Sequence, residues 1–186
     1  MRRPDLVPDC GRCAALCCVA TSFDASGDFA FDKAAGTRCR YLTDNCRCSI
    51  HDELVERGFP GCAAYDCYGA GQRATQAFAG THNAESQRNA AFLVLREVHE
   101  LLWLLTEAAK LCPSSQDDLG VQLAREIEEL DAIAQGPAPT LLEIDLRPHG
   151  ATARALLRRV GAALGGRRRA VQPRPPALDP SWNTPE

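Results

Sequence analysis

Hydrophobic positions follow two regimes along the chain. From Gln72 onward they recur at helical spacing. Between Ser86 and Leu111, the residues Phe92, Leu95, Val98, Leu102, Leu105 and Ala109 stand three or four apart, and further apolar residues widen the stripe until it covers most of the helix. That breadth predicts a helix at the centre of a bundle. Pro113 ends it, and Ser114 or Ser115, followed three residues later by Asp117 or Asp118, predicts the N-cap and acidic first turn of a second helix carrying Leu119, Leu123, Ile127, Leu130 and Ile133. Gly136-Pro137 closes the second helix. After a connector containing Pro148-His149-Gly150, a third helix is predicted over about 151–164, with Leu156, Leu157, Val160 and Leu164 on one face.

Residues 1–71 show no such period. Ser26-Gly27-Asp28, Ala35-Gly36-Thr37, Thr43-Asp44-Asn45 and Phe59-Pro60-Gly61 interrupt the segment, leaving room for short helices only around 14–19 and 52–57. A segment so broken is not expected to close a conventional hydrophobic core, and bound metal is the usual substitute in small loop-rich modules. Gly69-Ala70-Gly71 reads as the hinge to the helices. Residues 165–186, with five prolines and four arginines, read as a disordered tail. The expected fold is mainly α: a metal-stabilised cysteine-cluster module over 1–71, a bundle of about three helices over 72–164, and an Arg/Pro-rich tail over 165–186.

Composition changes the picture through cysteine. Nine of the ten cysteines fall between Cys10 and Cys67, and only Cys112 follows. The first residues carry Arg2 and Arg3 but no apolar run behind them, so no export signal is read, and a reduced, cytoplasmic protein is expected. In that setting clustered thiols point to metal or redox chemistry. No apolar run is long enough to cross a membrane; the most apolar stretch, 92–105, is interrupted by Arg96, Glu97, His99 and Glu100. Net charge is −2 over 1–71, −7 over 72–146 and +6 over 147–186, a basic end on an acidic body with no nucleic-acid or membrane partner expected. Restriction of lysine to Lys33 and Lys110 is compatible with a GC-rich bacterial genome.

The cysteines are spaced Cys10-x2-Cys13-x3-Cys17-Cys18, then Cys39-x6-Cys46-x1-Cys48, then Cys62-x4-Cys67. Soft thiolates at short separation place two sulfurs on one ion at little loop-closure cost, and a distant pair completes a four-sulfur shell. Adjacent Cys17 and Cys18 diverge from the backbone, which favours two metals or one polynuclear centre over a single ion. His51, three residues after Cys48, is a further candidate ligand. Arg12, Arg38, Arg40, Arg47 and Arg57 are placed in sequence to offset thiolate charge. Glu97, His99 and Glu100 read as the solvated edge of the central helix.

This order of residues, with Cys39-Arg40-Tyr41-Leu42, Cys48-Ser49-Ile50-His51, Gly58-Phe59-Pro60-Gly61-Cys62 and Tyr65-Asp66-Cys67, resembles the cysteine-cluster family of zinc- or iron-chelating domains often called YkgJ-like. The resemblance covers about residues 10–67. It implies metal ligands at Cys10, Cys13, Cys17, Cys18, Cys39, Cys48, Cys62 and Cys67 and leaves Cys46 outside the pattern. Arg57-Gly58-Phe59-Pro60 departs from the Arg-Pro that usually follows the Ile-Tyr/His element. The flanks, Phe29-x-Phe31-Asp32-Lys33-x-Ala35-Gly36 and Tyr65 to Gln72, look like the N-terminal part of actinobacterial proteins in which this cluster and a helical region precede pentapeptide repeats. No such repeat occurs here.

Three functions follow as expectations. In the first, eight thiolates hold two zinc ions, or iron, without catalysis. In the second, an iron–sulfur cluster serves an enzyme or redox protein, as the resemblance implies through members linked to lysine methylation of flagellin. No phosphate loop, nucleophile elbow or H-E-x-x-H motif accompanies the cysteines, so no catalytic residue is assigned. The third is a metal carrier or redox sensor using Cys46 beside Arg47, or Cys112.

Overall fold

The computed structural model of the protein describes residues 6–82, 84–112 and 117–170. The fold is mainly α. Along the chain come a short 3-10 turn over Cys10–Arg12, then α1 (Leu16–Val19), a second 3-10 turn over His51–Glu53, α2 (Pro60–Ala64), α3 (Ala70–Ala77), α4 (Glu85–Leu111), α5 (Asp118–Gln135), α6 (Ala138–Leu141) and α7 (Arg147–Ala170). Strand pairing among the described residues is limited to two isolated antiparallel bridges, Phe23 with Lys33 and Leu42 with Cys48.

Helix α4 is the axis of the fold. Its 27 residues extend about 40 Å at 1.5 Å per residue. The buried positions Phe92, Leu95, Val98, His99, Leu102 and Leu105 form the stripe expected from spacing, and α3, α5 and α7 pack around it. The short connection from Cys112 to Asp117 makes α5 run antiparallel to α4. Leu123, Leu130 and Ala134 of α5 and Ala153, Leu156 and Val160 of α7 complete the core. Leu16 and Ala20, on and just after α1, belong to the same buried cluster, so the cysteine-rich segment is seated on the helices. No described helix is long and apolar enough to cross a membrane.

Several boundaries differ from expectation. The cap of α5 is Asp117, whose carboxylate accepts the Gly120 N–H at 2.7 Å; Pro113, Ser114 and Ser115 lie outside the described residues. Pro148-His149-Gly150 is helix rather than connector. Asp145 starts α7 by accepting the Arg147 N–H at 3.0 Å, and Pro148 is at home in a first turn, where no intrahelical N–H is needed. At its other end α7 runs through Ala170, six residues past Leu164. Good helix formers over 167–170 outweigh Gly165-Gly166, each of which costs about 1 kcal/mol relative to Ala. The rest of the expected tail, 171–186, lies outside the described residues. Gly69-Ala70-Gly71 opens α3: Gly69 takes the left-handed conformation that starts it, with φ +79°, and Gly71 is buried inside the helix.

The N-terminal segment has a core after all, built from aromatics. Phe23 stacks on Phe29 at 4.5 Å between centroids. Phe59, 2% exposed, meets Phe31 edge-on at 5.1 Å and Tyr41 at 5.7 Å. Aromatic pairs need no helical or strand period to find one another, which is why periodicity did not reveal this cluster. It also fixes α2: a side chain at Gly61 would overlap the Phe29 ring, so the turn into the helix that carries Cys62 must be glycine.

Candidate metal centre

Three parts of the chain, with the turn at Cys67, bring the cysteines together. The first is the loop from Asp9 to Cys18. The Asp9 carboxylate accepts the Gly11 N–H at 2.9 Å and Arg12 Nε at 2.6 Å, closing the turn that holds Cys10 and Cys13. Buried Gln72 of α3 clamps the same loop, accepting the Asp9 N–H at 3.1 Å and donating to the Val7 carbonyl at 2.9 Å. The Ala14 N–H donates to Thr75 Oγ1 at 3.0 Å. Cys10 and Cys13 are thereby docked on the start of α3, directly after Cys67, whose carbonyl accepts the Ala70 N–H at 2.9 Å. The tightest contact is at Gly71: a Cβ there would stand 2.6 Å from Cys13 Sγ and 3.9 Å from Cys67 Sγ. Glycine leaves Cys13 Sγ where it stands, while Cys67 Sγ would be in ordinary contact with an added Cβ.

Between Cys13 and Cys17, Ala15 adopts a left-handed conformation with φ +54°, and Tyr68, next to Cys67, does so with φ +49°. For residues with a Cβ this costs about 1–2 kcal/mol each. Both sit beside cluster thiols, where such backbone turns the chain sharply enough to aim sulfurs inward. Leu16, fully buried, anchors α1 in the bundle core and leaves Cys17 and Cys18 on its other sides.

The second part is the turn over 39–49. The Cys39 N–H donates to the Cys18 carbonyl at 2.9 Å, tying the two thiol-bearing backbones directly. The Leu42–Cys48 bridge then folds Cys48 back alongside. Cys46 sits at the tip of this turn, with φ +58°. The third part is α2, where the aromatic core positions Cys62.

Electrostatics shows which thiols are neighbours. Burial pushes the Cys10 thiol up, and Cys17 and Cys67 push it further. Cys13 is raised by burial and then by Cys17. Cys62 is pushed up to about 11 by burial, then by Cys39, Cys17 and Cys48. The adjacent Cys18 thiol holds Cys17 down, to about 7, while Cys17 and then burial raise Cys18; Cys48 and Cys39 raise it further. Thiols from four parts of the chain, the 9–18 loop, the 39–49 turn, α2 and the turn at Cys67, therefore lie within electrostatic reach of one another. All ten cysteines are among the described residues and none is in a disulfide. No three of the thiol sulfurs lie within 4.8 Å of one another.

The cation facing this patch is Lys33, which sequence reasoning passed over. It is 5% exposed. Its ammonium donates to the carbonyls of Val19 at 3.2 Å, Thr21, and Ala34 at 3.3 Å, and it feels the charges of Cys39, Cys18, Cys17 and Cys62. Four of the five arginines assigned this role are paired with other groups. Arg12 pairs with Asp9 at 2.6 Å, Arg38 with Asp44 at 3.0 Å, Arg57 with Glu53 at 2.7 Å, and Arg40 lies over the Phe31 ring at 3.8 Å. Arg47 favours the thiolate of Cys10. His51 is exposed and contacts Asp52. His99, expected on a solvated edge, is buried: its Nδ1 lies 2.6 Å from the Tyr68 carbonyl, because α3 and the Cys67 turn cover that side of α4.

The chain is 37% identical over 156 residues to the Uncharacterized protein YybG of Bacillus subtilis (strain 168), a match covering 79% of this chain and 54% of that protein. The chain thus spans about half the length of the curated relative it matches. No family model matches it, and no solved structure matches it.

A second group with metal-ligand chemistry lies apart, between α5 and α7. Ligand atoms of Glu126, Glu129 and His149 fall within 4.8 Å of one another. Both carboxylates already have protein partners: Glu126 Oε1 is 2.7 Å from His149 Nδ1, and Glu129 pairs with Arg125 at 2.9 Å. Sequence reasoning missed this group because the i, i+3 glutamates meet His149 only once α5 and α7 are packed.

The thiol groups fit a soft metal by the chemistry of their donors. Ions of like charge crowded in a partly desolvated patch also favour a cation there.

Proposed function

We propose that the protein is a thiolate metal-binding protein of the cysteine-cluster, YkgJ-like kind, in which Cys10, Cys13, Cys17, Cys18, Cys39, Cys48, Cys62 and Cys67 hold zinc or iron. The observation carrying this reading is the convergence of thiol-bearing segments far apart in sequence: Cys13 and Cys67 meet at Gly71, and the Cys39 N–H bonds the Cys18 carbonyl. Bound metal would add a folding contribution of roughly 10 kcal/mol per structural ion. The chain's own residues supply the rest: Gln72 and Thr75 fix the first loop, Phe59 and its aromatic neighbours fix Cys62, and Lys33 offsets charge on one side. Because the curated relative extends well beyond the match, the module and its helices read as a unit that larger proteins attach to other parts.

Anaerobic purification with metal and sulfide analysis and a visible spectrum tests this. Stoichiometric zinc in a colourless protein supports a zinc centre. Brown protein absorbing near 400 nm with iron and sulfide supports a cluster. Protein that takes up neither metal refutes the reading.

A further inference from the structure

Resting on that reading, we infer that the eight thiols divide into two sets, Cys10, Cys13, Cys17 and Cys67 on the α3 side, and Cys18, Cys39, Cys48 and Cys62 on the Lys33 side, joined at the adjacent Cys17 and Cys18. The sequence leaves this division open, since C-x2-C, C-C and C-x4-C spacings allow many pairings.

The backbone decides it. Cys10 and Cys13 share the loop that Gln72 and Thr75 pin to α3, and Cys67 ends immediately before the same helix. Cys13 Sγ and Cys67 Sγ both stand within 4 Å of the Cβ position of Gly71. Cys17, like Cys13 and Cys67, packs against the buried core of the helices. On the other side, the hydrogen bond from the Cys39 N–H to the Cys18 carbonyl joins those two residues. The Leu42–Cys48 bridge returns Cys48 to them, and the ring contact of Phe59 with Tyr41 packs α2, which carries Cys62, on the same turn. Lys33 lies beside this second set through its bond to the carbonyl of Val19, the residue after Cys18. Consecutive residues project in different directions, so Cys17 and Cys18 are suited to serve different metals.

The test uses the full chain with bound metal and reads each cysteine separately, by N-ethylmaleimide labelling and mass spectrometry, beside total metal. In the wild type all eight thiols should be protected. Cys13→Ser should release about half of the metal and expose Cys10, Cys17 and Cys67 while Cys18, Cys39, Cys48 and Cys62 stay protected. Cys39→Ser should give the reverse pattern. Helical circular dichroism, reporting α4, α5 and α7, shows that each variant is folded. If one variant does not fold, Cys67→Ser or Cys48→Ser probes the same set. Exposure of all eight thiols in a folded variant, or a protected group drawn from both sets, overturns the division and leaves metal binding standing. A wild type with no metal and eight reactive thiols overturns both.

Discussion

Gly71→Ala isolates the tightest contact in the centre. The added Cβ would stand 2.6 Å from Cys13 Sγ, against about 3.5–4.0 Å for an ordinary non-bonded contact, so the sulfur must retreat by about 1 Å. Cysteine has one side-chain torsion, and Gln72 and Thr75 hold its loop on both sides, so the retreat turns Cys13 Sγ out of the patch. Metal–ligand distances tolerate only about 0.2 Å, and disturbing the support of a ligand typically costs 10–100-fold in affinity, about 1.4–2.8 kcal/mol. The overpacking cost of about 1–3 kcal/mol agrees with that range. Opposing it, alanine improves the helix by up to about 1 kcal/mol. The metal-free variant should therefore unfold close to the wild type, while its metal affinity falls 10–100-fold in competition with a chromophoric chelator. Gly161→Ala in α7 is the control: nothing lies within 4 Å of its Cβ position, so it should stabilise the protein by about 0.5–1 kcal/mol and leave affinity alone. Metal affinity of the Gly71 variant within about twofold of wild type would refute the packing argument.

Other consequences are open to measurement. Lys33→Met leaves the carbonyls of Val19, Thr21 and Ala34 without their donor, and at about 1–3 kcal/mol for an unsatisfied buried group it should cost about 3 kcal/mol or more; hydrogen exchange over 19–34 should accelerate, and unchanged exchange would remove Lys33 from this role. Phe59→Ala should cost about 3–5 kcal/mol in urea unfolding and loosen Cys62, read as faster thiol labelling in the metal-free protein. The fold raises Cys62 from its ordinary 9.0 to about 11, so the metal-free protein has this contribution in full below about pH 9 and loses it as pH rises toward 11. For the same reason metal uptake at about pH 8 should release protons from Cys10, Cys13, Cys18 and Cys62 in a weakly buffered solution, and uptake without proton release would contradict the protonated starting state.

The spacing of Leu95, Val98, Leu102 and Leu105 was enough to place α4 at the centre, because a stripe of that width must be covered on several sides. Helix ends were harder. Asp117 and Asp145 act as starts through hydrogen bonds that compete with other nearby polar residues, and only the folded backbone selects among them. Local spacing and soft-donor chemistry, which are properties of the chain itself, made the clustered cysteines legible as candidate ligands, and the family resemblance singled out eight of them. Their grouping was not legible. It depends on Gly71 lying under Cys13, on the Cys39–Cys18 backbone bond, and on residues far apart in sequence meeting around a left-handed Ala15. Lys33, the aromatic core and the burial of His99 escaped for the same reason: a single charge or ring carries no period, and its environment exists only when distant segments close over it. Sequence alone determined that this chain joins a thiol-rich module to a helical bundle, because composition and periodicity are local. Tertiary packing decided which thiols are neighbours and which cation they face, because distance in space is set by the contacts that close the fold.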